Sequence, residues 1–319
     1  MSENARYWIW LQNALGYGAK IKSIIDEYKS AKLLYELGES EWKMSTVLSK
    51  RQVEKLIMTD VGKSDEIIDC CSKNGYKIID FDDKAYPKRL KEIINPPAVL
   101  YVDGELPDID NLVCIGMVGT RKASEYAIKA AHIMAKGITE AGALVVSGGA
   151  LGIDTYSHLG ALACGGKTVA VLGNGLGNNY LKANEGLRNM IKQSGALVTE
   201  YQPNVPANRT SFPMRNRIIS GLSLGILVVE AGVKSGSLIT ANLAIEQNRD
   251  VYAVPASIFS SDFSGTNKLI SDGARLAINP VNVVEAYEND YPTLDLSKIR
   301  TANEIVLDKT EKTLDTSIV

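Results

Sequence analysis

Residues 114–124 read CIGMVGTRKAS, and this stretch contains the junction that decides the fold. Its first five residues are apolar and long enough for one buried strand, which Gly119 ends. Arg121 follows two residues later, and Ser124 is a favoured residue for capping the start of a helix. A buried strand, a glycine turn and a helix N-terminus together form an anion site, because the unpaired N–H groups of the helix point toward the strand end.

The alternation of strand and helix continues through most of the chain after this junction. Apolar segments predict strands at Leu112–Val118, Leu144–Ser147, Thr168–Leu172, Leu197–Glu200, Gly225–Glu230 and Val251–Val254. Helical spacing predicts helices at Ser124–Ala141, Asp154–Cys164, Asn184–Ser194 and Ser237–Gln247. Strands that are apolar throughout and separated by helices are typical of a parallel sheet covered on both faces. We therefore expect an α/β fold over residues 109–290, an extended Rossmann-like doubly wound sheet that is mostly parallel.

Three smaller units are predicted around this domain. Residues 1–78 show helical spacing broken at Gly16-Tyr17-Gly18, which predicts a small helical domain of the sterile-alpha-motif (SAM) or helix-hairpin-helix kind. Such domains either contact a nucleic-acid backbone or only pack against the rest of the protein, and the sequence leaves both open. Residues 79–108 are rich in proline, which fixes an extended path, and are expected to form a connector. Residues 291–319 are expected to form a polar C-terminal tail.

Composition excludes several classes of protein. The net charge of −2 means that any binding of nucleic acid depends on a local basic patch. The four cysteines contain no C-x-x-C pair, which favours a reducing, cytoplasmic setting without structural zinc. The chain has neither a signal-peptide core nor an apolar run of membrane-spanning length, so no membrane association is expected. Its two histidines leave little scope for histidine catalysis or metal binding.

The loops after the predicted strands carry the candidate chemistry. In a doubly wound sheet these loops emerge on one edge, where ligands bind. They are rich in glycine and basic residues, and comprise Gly119–Lys122, Ser147–Asp154, Gly173–Lys182, Phe212–Arg217 and Glu230–Ser237. Glycine lets the backbone approach a phosphate closely, and lysine or arginine supplies counter-charge. The sequence therefore predicts a phosphate-binding edge.

No catalytic motif is complete. The first loop lacks the G-x-G-x-x-G fingerprint of dinucleotide-binding proteins, and Gly160–Thr168 is one residue too long for a phosphate-binding P-loop. Asp154 and His158 lie one helical turn apart, which favours fixing a loop or capping a helix. Glu200 and Glu230 end predicted strands and are interpreted as structural polar residues. The sequence thus predicts no catalytic group, no metal site and no cofactor.

Several motifs together resemble the DprA/Smf family of DNA-processing proteins. They include G-T-R-K-A-S (119–124), S-G-G-A-L-G-I-D (147–154), F-P-M-R-N-R (212–217) and L-I-S-D-G-A (269–274), and their order and spacing agree over roughly residues 80 to 275. The resemblance implies a non-enzymatic adaptor with an extended Rossmann domain. It further implies that the protein binds and protects single-stranded DNA, forms a homodimer, and loads the RecA recombinase during natural transformation.

The resemblance also implies which residues contact DNA. Arg121 and Lys182 resemble the DNA-binding arginine and lysine of the family. The full predicted set is Gly119, Thr120, Arg121, Lys122, Ser147, Gly148, Gly149, Lys182, Phe212, Arg215, Asn216 and Arg217. Gly177 and Leu181 depart from the Asp-x-x-Tyr-Pro that the family usually carries in the third loop. The C-terminal winged helix of many members is expected to be absent.

Two alternatives of another class remain open. One is a nucleotide-binding enzyme that resembles the LOG family of the SLOG superfamily, although the P-G-G-x-G-T-x-x-E motif of that family is missing from the sequence. The other is a nucleotide sensor of the same superfamily.

Overall fold

The apolar stretch Cys114–Val118 forms a buried strand inside a nine-stranded sheet. The computed structural model describes residues 1–299. In chain order the strands are β1 (Lys77–Asp80), β2 (Val99–Gly104), β3 (Cys114–Val118), β4 (Leu144–Ser147), β5 (Thr168–Val171), β6 (Ala196–Thr199), β7 (Gly225–Val228), β8 (Asp250–Ala253) and β9 (Arg275–Leu276). Their spatial order is β1-β2-β6-β5-β4-β3-β7-β8-β9. The pairings among β3 to β9 are parallel, whereas β2 pairs antiparallel with both β1 and β6, which confirms the predicted mostly parallel α/β fold.

Helices cover both faces of this sheet. In chain order they are α1 (Ala5–Leu15), α2 (Lys22–Tyr28), α3 (Ala31–Met44), α4 (Lys50–Met58), α5 (Gly62–Asn74), α6 (Lys88–Lys91), α7 (Glu125–Glu140), α8 (Ile153–Ala163), α9 (Glu185–Ser194), α10 (Ser211–Leu222), α11 (Ser237–Glu246), α12 (Ser264–Ser271) and α13 (Val281–Val284). Alternate residues of β3 point to opposite faces. Ile115 and Met117 pack with α7, whereas Cys114 and Val118 share a core with α10 and α11. Each fully buried aliphatic side chain of this kind contributes about 1.5–3 kcal/mol.

The topology reverses at β3. This strand pairs with β4 on one side and with β7 on the other, so the chain leaves β3 in one direction and later returns to its opposite side. A crevice opens at the carboxyl ends of two strands where the order reverses in this way, and α/β proteins bind ligands there. The crevice in this protein therefore lies between the loops that follow β3 and β7.

The helical N-terminal domain packs directly on the sheet. Ile78, Val99 and Tyr101 point into the core of helices α1 to α5, whereas Leu100 and Val102 point into the core shared with α10. The predicted connector, residues 79–108, is part of the sheet, because it supplies half of β1 and all of β2. Its prolines flank these strands instead of excluding them.

The last described residues also contribute to the core. Leu294 and Ile299 are buried in the cluster that packs around α7. The first part of the predicted polar tail, residues 291–299, thus packs against the domain. The rest of that prediction, residues 300–319, lies outside the described residues.

Candidate nucleic-acid interface

An open cleft of about 480 Å³ lies at the topological reversal. Its walls come from the loops after β3, β4, β5 and β7 together with α10 and the first turn of α11. The lining residues are Val118, Gly119, Thr120, Arg121, Ala150, Asp154, Tyr180, Arg209, Phe212, Pro213, Arg215, Asn216, Ile219, Ser235, Gly236, Ser237, Ile239 and Thr240. The cleft therefore brings together residues that are up to 122 positions apart in the sequence, from Val118 to Thr240.

One wall of the cleft combines positive charge with aromatic rings. The guanidinium carbon of Arg121 lies 5.0 Å from the centre of the Phe212 ring, and the Tyr180 and Phe212 ring centres lie 5.3 Å apart. Arg121 is exposed, and Arg209 also lines the cleft with an exposed side chain. Guanidinium groups attract phosphate, and aromatic faces stack on nucleobases whatever the sequence.

The sequence of α10 determines which side chains reach the cleft. Phe212, Arg215, Asn216 and Ile219 recur at intervals of three and four residues, so they share one face of the helix, and all four line the cleft. Arg217 follows Arg215 by only two residues and therefore points elsewhere. The motif F-P-M-R-N-R thus places one of its two arginines at the cleft and the other outside it.

Arg215 is held rigidly at the floor of the cleft. Its Nη1 donates hydrogen bonds to the carbonyl oxygens of Gly148, at 2.6 Å, and Val171, and the side chain is almost fully buried. A Cβ atom at Gly148 would overlap both Oδ2 of Asp154 and the Arg215 guanidinium, so this position requires glycine. Arg215 therefore ties the loop after β4 to the end of β5 and contributes fixed positive charge at the floor of the cleft.

Arg217 forms a buried ion pair away from the cleft. Its Nη2 lies 2.7 Å from Oε2 of Glu200, and both side chains are almost completely buried. Glu230, the other carboxylate at a strand end, accepts hydrogen bonds from the backbone and the hydroxyl of Ser124 at the start of α7. Both glutamates make structural contacts in this geometry.

A buried carboxylate also lines the cleft. Asp154 stands at the start of α8, where its Oδ2 accepts a hydrogen bond of 3.3 Å from the backbone N–H of Ala150. Burial raises the pKa of this carboxyl group, and the nearby Arg215 opposes the shift. His158 does not pair with Asp154; its Nδ1 lies 2.8 Å from Oγ1 of Thr168 instead.

The remaining predicted residues form the rim or support it. Gly119, Thr120 and the exposed Lys122 belong to the loop after β3, whereas Ser147 is buried and donates to the carbonyl oxygen of Met117. Gly149 lies in a small hollow beside the cleft, which Arg121 and Phe212 also line.

Lys182 projects from the third loop without lining the cleft. It is exposed, and it opens a short 3₁₀ turn directly after Leu181, whose φ of +56° is left-handed. Arg188 holds this loop by donating to the carbonyl oxygens of Tyr180 and Leu181. The departure from the family pattern in this loop thus coincides with a strained backbone residue.

The structure adds cleft residues that the predicted set omits. Arg209 lies three residues before Phe212, and Tyr180 two residues before Lys182, so each stands just beside a predicted residue in the sequence. The start of α11, Ser235 to Thr240, forms the opposite wall. In the sequence, the glycine-containing loop after β7, Glu230–Ser237, was the feature that could have indicated this wall.

Two further properties concern the part of the chain that the structure describes. In residues 1–299 no three or more histidine, cysteine or acidic side chains come together as metal ligands would. Over the same range, no helix is both long enough and apolar enough to cross a membrane.

These features define a Rossmann-like α/β protein with a cationic, partly aromatic cleft at the carboxyl edge of its sheet. Residues 77–288 match the family model described as DNA recombination-mediator protein A. The chain belongs to this family, known as DprA/Smf.

Relatives with known names agree with this membership. The chain is 39% identical over 213 residues to the DNA processing protein DprA of Bacillus subtilis, covering 67% of this chain and 72% of the relative. It is 40% identical over 206 residues to that of Streptococcus pneumoniae, covering 65% and 72%.

Two solved structures are also similar. DprA from Streptococcus pneumoniae matches with a TM-score of 0.77 at 32% identity, over 88% of this chain and 97% of that one. DprA from Helicobacter pylori, whose structure concerns a single-stranded DNA binding mode, matches with a TM-score of 0.61 at 29% identity, over 68% and 97%.

Proposed function

We propose that this protein is a non-enzymatic adaptor that binds single-stranded DNA in the cleft between β3 and β7. The contiguous group of Arg121, Phe212 and Tyr180 carries the proposal, because it offers a phosphate ligand and a base-stacking surface side by side. The Helicobacter pylori relative, which shares the fold at 29% identity, binds single-stranded DNA according to its description.

In this function the predicted DNA-binding residues divide into three groups. Gly119, Thr120, Arg121, Phe212 and Asn216 contact the strand, together with Arg209. Lys122 and Lys182 are exposed at the rim and approach the phosphates on either side. Ser147, Gly148, Gly149 and Arg215 are buried and support the cleft, whereas Arg217 acts only indirectly, through its ion pair with Glu200 away from the cleft.

The wider role follows from the family. DprA/Smf membership supports protection of incoming DNA, loading of RecA and a cytoplasmic setting during natural transformation. A homodimer is supported by the exposed apolar residues at the β9 end of the sheet, where Leu276 is 47% and Ile278 66% exposed. In a dimer, two linked clefts would bind one DNA strand, and the second cleft would act at a high effective concentration.

A nucleotide-binding enzyme of the LOG type, or a nucleotide sensor, is the alternative. A cleft of about 480 Å³ has the size of a small-molecule site, which is the observation that favours it. Fluorescence anisotropy with labelled oligo-dT, with and without competing mononucleotides, separates the two. Salt-dependent binding of oligo-dT that mononucleotides do not displace supports the adaptor. Tight mononucleotide binding without oligonucleotide binding contradicts it.

A further inference from the structure

Helix α10 has a second face that points away from the cleft. Met214, Arg217 and Gly221 follow one another at intervals of three and four residues, out of phase with the face that lines the cleft. Gly221 packs against Leu90 and Ile93 from the segment that leads to β2. Arg217 pairs with Glu200, and Met214 lies against Gly18 of the N-terminal domain.

The turn between α1 and α2, residues 16–21, is docked on the sheet domain at this place. The N–H of Gly18 donates to Oε2 of Glu200 at 3.3 Å, and its carbonyl oxygen accepts from Nδ2 of Asn95 at 3.4 Å. The ring centre of Tyr17 lies 4.5 Å from that of Tyr201. The turn is therefore held by backbone hydrogen bonds and by aromatic packing.

Glu200 joins the turn to α10. Its Oε2 accepts hydrogen bonds from the Gly18 backbone and from Nη2 of Arg217, and its side chain is only 1% exposed. Removing one partner of such a buried pair leaves an uncompensated charge, so the arrangement is strongly favoured over its alternatives. A shift of the turn would therefore be transmitted to Arg217 and to the helix that carries Phe212 and Asn216.

We propose that the α1–α2 turn is a positioning element for the cleft, because it fixes the placement of α10. The Gly18 amide, which an exposed turn between two helices could offer to a phosphate, is occupied by the Glu200 carboxylate. The N-terminal domain thus acts on DNA binding through α10 and makes no phosphate contact through this turn. This inference rests on the proposed function of the cleft.

The two glycines Gly18 and Gly38 provide a matched pair of variants. Both have positive φ angles, +69° and +75°, so an alanine is strained at either position. A Cβ at Gly18 would overlap Sδ of Met214, whereas a Cβ at Gly38 would meet no atom within 4 Å. Gly18→Ala therefore tests the contact with α10, and Gly38→Ala controls for backbone strain.

Oligo-dT affinity and hydrogen exchange of the α10 amides are measured on the full-length variants. Gly18→Ala is expected to weaken binding about fivefold and to speed exchange in residues 211–222, with no change in the slope of affinity against salt. Gly38→Ala is expected to match the wild type in both measurements. Adding Met214→Ala to Gly18→Ala is expected to restore affinity, since it removes the overlapping atom.

The other outcomes contradict either the positioning role or the proposed function. A reduced salt slope in Gly18→Ala would mean that the turn contacts phosphate directly, and equal losses in both glycine variants would mean general strain. Either result, or unchanged affinity and exchange in Gly18→Ala, refutes the positioning role. If the wild type itself fails to bind oligo-dT, the proposed function falls, while exchange in α10 still tests the coupling. Tyr17→Ala, which removes the packing on Tyr201 without backbone strain, replaces Gly18→Ala if that variant does not fold; weaker oligo-dT binding and faster exchange in α10 are expected of it, at an unchanged salt slope.

Discussion

The arginine residues of the cleft differ in exposure, and this difference sets their expected roles. Arg121 and Arg209 are exposed at the cleft, whereas Arg215 and Arg217 are buried by backbone oxygens and a carboxylate. An exposed guanidinium exchanges water and counterions for a DNA phosphate at little cost. A buried guanidinium already makes its hydrogen bonds inside the protein, so its replacement is expected to lower the stability of the fold first.

Arg121→Ala and Arg209→Ala are each expected to weaken binding of oligo-dT without unfolding the protein. Each removes about one phosphate contact, so the slope of log K against log salt falls by about 0.7. Lys182→Ala is expected to have a smaller effect in the same direction, because this lysine is exposed on the rim without lining the cleft. Anisotropy titrations at several salt concentrations measure all three.

Arg51→Ala is the matched control for these variants. Arg51 is exposed on α4 of the N-terminal domain, so it shares the chemistry of Arg121 without the position. Equal affinities of Arg121→Ala, Arg209→Ala and Arg51→Ala, with native circular dichroism, would remove the cleft from the DNA-binding hypothesis.

The carboxylate of Asp154 is expected to weaken DNA binding at neutral pH. In its ionised form it adds negative charge to a cleft that is proposed to bind phosphate. Burial raises the pKa of this carboxyl group. Asp154→Asn retains an oxygen for the Ala150 N–H and removes the charge, so affinity for oligo-dT is expected to rise by about fivefold, or about 1 kcal/mol. Asp26→Asn, at an exposed position on α2, should leave affinity unchanged. Weaker binding by Asp154→Asn would show that the charged form serves the site.

His158 makes the protein sensitive to acid. The Thr168 hydroxyl donates to the carbonyl oxygen of Val145, so it accepts from Nδ1 of His158, and Nε2 has no hydrogen-bond partner among the described residues. Burial, assisted by the nearby Arg215, lowers the pKa of this histidine to about 3. The neutral form therefore belongs to the folded state, and its stabilisation is present above the ordinary value of 6.5 and is lost as pH falls toward 3.

The corresponding measurement is urea unfolding as a function of pH. Between pH 6.5 and about 3 the wild type is expected to lose about 1.4 kcal/mol per pH unit through this one group, in addition to losses from other groups. His158→Gln should flatten this part of the curve. His132→Gln, at a half-buried position on α7, should retain most of the slope. Identical curves for the wild type and His158→Gln would contradict the assignment.

Helix α10 contacts the cleft with one face and the N-terminal domain with the opposite face. One face lines the cleft, and the other carries the ion pair of Arg217 with Glu200. The helix has no side-chain cap at its start, where Ser211 is held instead by the backbone and side chain of Asn208. Its placement therefore depends on tertiary contacts more than on its own ends.

Arg217→Leu is expected to destabilise the protein by about 3–5 kcal/mol, because Glu200 would remain buried without its partner. The double variant Glu200→Leu/Arg217→Leu should recover part of that loss, since no unpaired charge remains. Urea denaturation of the two variants provides the comparison. A double variant less stable than Arg217→Leu would mean that Glu200 is stabilised mainly by the Gly18 amide.

The nine-stranded sheet ends in β9, a strand of only two residues. β9 pairs with β8 on one side, and both Leu276 within β9 and Ile278 two residues later are exposed. Ile258 and Phe259, which follow β8, are also 86% and 92% exposed, whereas Leu238 and Leu269 pack against the core.

Ile278→Glu is expected to convert the proposed dimer to a monomer of 34.5 kDa. A charge at an apolar C2 interface is repeated on both copies, so the two carboxylates would meet or be desolvated together. Light scattering of the full chain at tens of micromolar measures the mass. Met58→Glu, at an 84% exposed position at the end of α4, is the control. A wild type that is already monomeric at this concentration would contradict the dimer.

Much of this architecture was determined by the sequence itself. The apolar strands, the helix starts such as Ser124 and the glycine-rich loops specify a doubly wound sheet through local patterns. Parallel topology then requires the strand-end loops to share one edge, so Arg121 and Phe212 could be placed at one site although they are 91 positions apart in the sequence. The family membership follows from the same motifs, because their order and spacing are properties of the chain alone.

Only the tertiary structure decided which of the neighbouring arginines reach that site. Arg215 and Arg217 are two residues apart on one helix, and the sequence does not state how that helix is rotated against the sheet. That rotation depends on packing between distant residues: Gly18 on Met214, Glu200 with Arg217, and Gly148 beneath Arg215. Other non-local contacts pack the N-terminal turn against α10 and pair β1 and β2 with the rest of the sheet. Local patterns carry no information on such contacts, because each depends on the shape of a surface formed by other parts of the chain.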